Sequence, residues 1–127
     1  MKIKDCILIE AFKCKEDESI IEVAKKLRKI TLRHIFVVDN KEFPTGIISV
    51  VDMNNRVIAE GKNPKDLKAK DIMSRPIEVY DINETVEEAY KKMAEKKRVM
   101  GAVVKDSKMI GIVTIHQLLK GMEKKNE

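Results

Sequence analysis

Two short stretches carry residue types whose spacing allows ligand chemistry. Ser49-Val50-Val51-Asp52 and Thr114-Ile115-His116-Gln117 each set a hydroxyl three residues ahead of a hydrogen-bond acceptor. A carboxylate placed where a strand becomes a helix can accept two hydrogen bonds from a vicinal diol. The neighbouring hydroxyl can donate to that diol or to a phosphate, and amides at a helix start favour an anion. The same pattern also describes plain structure, because Asp52 acting only as a helix N-cap contributes about 1 kcal/mol. The second stretch has Gln117 where the first has Asp52, leaving one acceptor oxygen and no charge. A charge-assisted bond contributes about 1.5–3 kcal/mol against ~1 for a neutral one, so a ligand held this way would bind about tenfold or more weakly at Gln117.

Other chemistry is harder to assemble. No Cys/His or Ser/His/Asp set has a recognisable local context, and neither a phosphate loop nor a metal-ligand spacing occurs. Cys6 and Cys14 fit neither a CxxC motif nor a zinc knuckle and are expected to stay thiols in a reducing compartment. The sequence therefore predicts a protein that is not an enzyme, with no metal and no cofactor.

The elements that must position these stretches come in duplicate. Displaced by 66 residues, ESIIEVAKKL (18–27) falls on ETVEEAYKKM (84–93), and IFVVD (35–39) falls on GAVVK (101–105). With one residue removed from the following turn, GIISVVDM (46–53) falls on GIVTIHQL (111–118). In each copy a hydroxyl residue, Ser19 or Thr85, precedes Glu22 or Glu88 by three positions as in a capping box. Apolar residues then recur at helical spacing: Ile20, Val23, Ala24 and Leu27, or Val86, Ala89, Tyr90 and Met93. Continuous apolar strands follow at 35–38 and 101–104, predicted to be covered on both faces. A turn and a second strand from near Gly46 or Gly111 lead to a second helix, which Asp52 or Gln117 is expected to open. Gly61 is a plausible stop; Gly121 is either a stop or part of a last helical turn. The spacing divides the chain into a repeat over 1–61, a linker over 62–70 and a repeat over 71–127.

At 127 residues the chain is long enough for a sizeable core, since folding at this size hides roughly two-thirds of the unfolded surface. Charged residues make up 37% and no apolar run approaches the ~20 residues of a membrane span, so a cytoplasmic globular protein is expected. Lysine and glutamate abundance with one glutamine is common in heat-adapted proteins. The net charge of +5 keeps nucleic acid as an alternative partner, through Lys62, Lys65, Lys68, Lys70, Lys120, Lys124 and Lys125. Interleaved acids and 4% aromatics argue against it.

The tandem order of DCILIEAF and DIMSRPIEV, IFVVD and GAVVK, then GIISVVD and GIVTIHQ resembles a pair of cystathionine β-synthase (CBS) domains, a Bateman module. The resemblance implies an α/β (α+β) fold of two β-α-β-β-α repeats packed sheet to sheet about a pseudo-twofold axis. It implies a non-catalytic regulatory sensor that binds AMP, ADP, ATP, S-adenosylmethionine or a similar nucleoside in clefts between the repeats. Asp52 and Ser49 match the ribose-binding position, and Thr114 and Gln117 make a weakened second site. The family geometry points to an adenine slot at Ile77, Pro76, Val99 and Met100, and to a second-site slot at Ala11 and Leu32. Arg33, His34 and Arg98 are the candidate phosphate cations, with solvated helix-end charge as the alternative for the arginines and ordinary packing for His34. A homodimer is expected, with Met53, Val57, Leu118, Leu119 and Met122 either at its interface or internal. An interaction module with empty clefts is a further alternative, and any regulated protein partner is not written in the chain.

Overall fold

The computed structural model describes residues 1–29 and 33–125. The chain forms two compact units, one of Phe12–Ile77 and one of Met1–Ala11 with Glu78–Glu127. The first contains β1 (Lys13–Lys15), α1 (Ile20–Lys29), β2 (His34–Val38), β3 (Pro44–Ser49), α2 (Val50–Met53) and α3 (Ala69–Ile72). A π turn over Asn54–Ile58 continues α2, and a 3-10 turn over Pro64–Asp66 precedes α3. The second contains a 3-10 turn (Ile3–Asp5), β4 (Val79–Asp81), α4 (Val86–Glu95), β5 (Met100–Lys105), β6 (Lys108–Thr114) and α5 (Ile115–Lys125).

The duplication is written into the strand register. In sheet β1-β2-β3 the first pair is parallel and the second antiparallel, and sheet β4-β5-β6 repeats this order. Lys13 faces Phe36 as Val79 faces Ala102, and the two antiparallel ladders are irregular at Val37/Val38 and Val103/Val104. Four consecutive residues of β2 (Ile35–Val38) and four of β5 (Gly101–Val104) are buried, as strands covered on both faces must be. Val23, Leu27, Val37, Ile48 and Val57 fill the first core, and Tyr80, Val86, Met93, Val113 and Leu118 the second. Val57 and Leu118 are thus interior residues, which removes them from any surface used for pairing.

Ser19 and Thr85 accept the amides of Glu22 and Glu88 at 3.3 and 3.2 Å, as expected of N-caps. The return bond expected of Glu22 is replaced by an outward ion pair to Lys25. The identical residues Glu18/Glu84 and Lys26/Lys92 instead tie each helix to its first strand. Glu18 accepts the Lys15 amide at 3.2 Å and Lys26 Nζ at 2.7 Å; Glu84 accepts the Asp81 amide at 3.0 Å and Lys92 Nζ at 2.9 Å.

The second helices begin at Val50 and Ile115, so Ser49 and Thr114 are the caps, and Asp52 and Gln117 are third residues rather than openers. With the helices starting there, each hydroxyl accepts the third residue's amide and the third residue's side chain accepts the cap's amide in return. Gly61 stops its helix at φ +65°, whereas Gly121 lies inside α5. Cys14 is buried, and desolvation, aided by the Glu18 charge, pushes its thiol up to about 12. No helix among the described residues is long and apolar enough to cross a membrane.

Gly46 and Gly111 occupy equivalent places where another segment crosses the last strand. A Cβ at Gly46 would lie 2.8 Å from Met73 Cγ, and one at Gly111 would lie 2.9 Å from Leu8 Cβ. The crossing backbones bond to the strand in pairs: Ser74 with Ile47 at 2.8 and 3.1 Å, and Ile9 with Ile112 at 2.9 Å in both directions. Gly111→Ala is expected to cost about 1–3 kcal/mol in urea unfolding by forcing Leu8 and Ile9 off β6. An unchanged midpoint would show that the crossing segment yields freely.

Candidate functional site

The Ser49–Asp52 junction is a closed capping box with one acceptor left over. Asp52 Oδ2 accepts the Ser49 amide at 2.8 Å and the Ser49 hydroxyl at 3.2 Å, while Ser49 Oγ accepts the Asp52 amide at 3.1 Å. The single hydroxyl proton of Ser49 is therefore committed to Asp52. The other carboxylate oxygen, Oδ1, has Arg56 Nε at 3.8 Å, and the Asp52 side chain is 16% exposed. Arg56 spends its guanidinium elsewhere: Nη1 donates to the carbonyls of Ile72 at 2.8 Å and Met73 at 3.1 Å. It anchors the crossing segment beside the junction while keeping positive charge near Asp52. Sequence reasoning passed over Arg56; its position four residues after Asp52 on one helical face was the available signal.

The second unit builds the same box from neutral groups. Gln117 Oε1 accepts the Thr114 amide at 2.9 Å and its hydroxyl at 3.3 Å, and Thr114 Oγ1 accepts the Gln117 amide at 3.2 Å. Gln117 Nε2 then donates to the carbonyl of Ile7. Ile7 is the counterpart of Ile72, as Ile9 is of Ser74, judged by the crossing bonds to Ile112 and Ile47. Gly121 stands where Arg56 would be. One side chain thus does both jobs: its oxygen closes the box and its nitrogen holds the crossing segment. Both lone pairs of the Gln117 amide oxygen are thus in use.

The first unit brings several predicted residues together around Asp52. The Arg33 carbonyl accepts the Val50 amide at 3.3 Å, and His34 lies opposite Ser49 in the β2–β3 register. Ser74 pairs with Ile47 on β3, which carries Arg75, Pro76 and Ile77 onward from the crossing. Pro76 is exposed and Ile77 half-buried. Val99 and Met100, expected in the same slot, belong to the second unit, where the Val99 carbonyl accepts the Ile115 amide at 2.9 Å and Met100 faces Thr114. Ala11 ends the crossing segment of that unit, and Leu32 lies outside the described residues. Arg98 Nε is 3.4 Å from Glu78 Oε2, so its charge is already partly matched.

The lysine-rich stretch is also less free than its composition implies. Lys68 and Lys70 both approach Asp17, at 3.7 and 3.2 Å. Among the described residues no group of three His, Cys, Asp or Glu side chains is arranged to hold a metal ion.

Comparison with known proteins matches the sequence model of the CBS domain twice, over residues 3–58 and 69–124. The uncharacterized protein MK0525 of Methanopyrus kandleri is 36% identical over 104 residues, covering 81% of this chain and 53% of that protein. The chain thus spans about half the length of this curated relative. The solved CBS domain pair of protein MJ0100, in complex with 5′-methylthioadenosine and S-adenosyl-L-methionine, superimposes with a TM-score of 0.74 at 26% identity, over 98% of each chain. Hypoxic Response Protein I, solved with two coordinated zinc ions, gives a TM-score of 0.80 at 18% identity over 94% of this chain and 98% of that one, a likeness of fold.

Arg56→Ala is expected to lower stability by about 1–2 kcal/mol, because it strips a charged donor from two carbonyls. Asp52→Ala should cost about 0.5–2 kcal/mol through the lost box. Asp52→Asn, which keeps an acceptor oxygen as Gln117 does, should fall within about 0.5 kcal/mol of wild type. Urea denaturation of the three variants checks the order; equal losses at Asp52→Asn and Asp52→Ala would contradict the box geometry.

Proposed function

Since the chain belongs to the CBS domain family, we propose that it is a non-catalytic regulatory module that senses an adenosine-containing ligand through Asp52. The observation that carries this reading is the acceptor left free at Asp52 Oδ1 after the capping box has closed. A ribose presents two adjacent hydroxyls, and an ionised oxygen next to Arg56 can accept from both. The bend at Ser74–Ile77 supplies apolar surface and backbone groups beside β3 for a base, and Arg33 supplies a cation for phosphate or another anionic group. Ser49 acts through Asp52, fixing its rotamer, because its own proton is engaged. Ile77 and Pro76 are the slot residues of this site. The ligand complex of the MJ0100 pair supports the nucleoside class. The Thr114–Gln117 junction is proposed to bind weakly or not at all, since its amide is spent on Thr114 and Ile7. A polyanion reading is less well supported, because Asp17 offsets one of the two charges carried by the candidate lysines Lys68 and Lys70.

Isothermal titration with AMP, ADP, ATP, S-adenosylmethionine and 5′-methylthioadenosine at two salt concentrations tests the proposal. One site per chain is expected for at least one of them. Asp52→Asn should weaken that site about tenfold or more while preserving the fold. Gln117→Ala should leave the site's affinity unchanged. Silence toward every adenosine ligand, or equal affinity of Asp52→Asn, refutes the assignment. Salt-sensitive binding of a DNA duplex in their place would turn the reading toward nucleic acid.

A further inference from the structure

Arg56 joins the candidate ligand oxygen to the backbone of the crossing segment. Its Nε lies 3.8 Å from Asp52 Oδ1, and its Nη1 donates to the carbonyls of Ile72 and Met73 at 2.8 and 3.1 Å. The residues so held lead directly to Ser74, which pairs with Ile47 on β3, and then to Arg75, Pro76 and Ile77. The chain passes between the two units at Ala11–Phe12 and at Ile77–Glu78. The segment under Arg56 is therefore the end of the first unit that runs on covalently into the second.

The second unit fastens its crossing without this division of labour. Gln117 closes the box with its oxygen and reaches Ile7 with its nitrogen, and Gly121 stands at the place of Arg56. The helix differs as well. Residues Ile115–Lys125 are α-helical throughout, whereas the first unit has its π turn at Asn54–Ile58, closed by the Ala59 amide on the Asn54 carbonyl at 2.8 Å. Such turns recur at functional sites, and this one carries Arg56. In the first unit, then, acceptor and tether are separate side chains joined by charge.

Resting on the assignment of Asp52 as ligand acceptor, we propose that Arg56 is a positioning residue that couples occupancy of Asp52 to closure of the crossing segment on β3. A diol seated on Oδ1 displaces water from the carboxylate, and the less polar surroundings strengthen its attraction for Arg56 Nε. A guanidinium held more firmly there holds Ile72 and Met73 more firmly too. The coupling is reciprocal: whatever closure adds to ligand affinity, the ligand adds to closure. The diol alone suffices for it, without a phosphate. A lysine keeps the charge but lacks the planar fork that spans a carboxylate and two carbonyls.

Hydrogen exchange at the Ile47 and Ser74 amides, which bond across the crossing, measures closure; Ile9 and Ile112, the equivalent pair without an arginine, are the reference for global effects. 5′-Methylthioadenosine, which carries a diol and no phosphate, is expected to slow exchange at Ile47 and Ser74 at least about fivefold more than at the reference pair. Arg56→Lys should bind it about fivefold or more weakly and lose that extra protection. AMP should lose the same factor; a loss confined to AMP would make Arg56 a phosphate cation and overturn the proposal. Unaltered affinity in Arg56→Lys, with faster exchange at Ser74, would leave the arginine a fastening only and overturn it as well. Without ligand, Asp52→Asn is expected to speed Ser74 exchange about twofold in the wild-type background and not at all beside Arg56→Lys. Equal acceleration in both backgrounds refutes the coupling. Failure of both ligands to bind the wild-type protein refutes the Asp52 assignment instead, and the ligand-free cycle then decides separately whether Arg56 joins Asp52 to the crossing.

Discussion

Much of the architecture depends on one constraint: the last strand of each three-stranded sheet has a bare edge, and a segment from elsewhere in the chain must cover it. A bare edge leaves backbone amides and carbonyls without partners and invites pairing with other chains. Here Ser74 closes β3 and Ile9 closes β6, each through a reciprocal pair of backbone bonds. The approach is close enough that a glycine is required below it, at 46 and at 111. The closing segments are also what give each strand-to-helix junction a neighbour, so edge protection and site construction are one event. It also explains why residues 1–11 count with the second unit although they are contiguous with the first.

The two crossings must be fastened, and the fastening differs. An arginine reaching two carbonyls leaves the Asp52 carboxylate with a spare oxygen. A glutamine reaching one carbonyl uses up its whole amide. The exchange of Asp52 for Gln117 is therefore coupled to the exchange of Arg56 for Gly121. The amide is needed as a donor only where the guanidinium is missing. Such coupled pairs are non-additive by nature, because each member is judged by what the other leaves undone.

Much of the fold was legible in the sequence because it rests on periodicity and repetition. The helices at 20–29 and 86–95, the doubly covered β2 and β5, and the glycine stop at 61 follow from local spacing. The distance between Ser49 and Asp52 was legible too, but their division of labour was not. A hydroxyl and a carboxylate three residues apart can cap in either order, and only the helix start at Val50 fixes Ser49 as the cap. The roles of Glu18 and Lys26 depend on where β1 lies relative to α1, and that of Arg56 on a segment 16 residues away in sequence. Tertiary proximity of this kind leaves no periodic trace. The distribution of Ile77 and Val99 over different units was hidden for the same reason.

The two repeats diverge in one direction. At the strand-to-helix junction the second repeat satisfies its own acceptor with its own backbone, and Tyr90 packs against its core. The first repeat leaves an oxygen at Asp52 and a cavity at Ala24. Filling and saturating are what stability favours, since unpaired acceptors and apolar hollows each cost free energy. The sister repeat, built on the same register and the same helices, shows how each vacancy could have been closed.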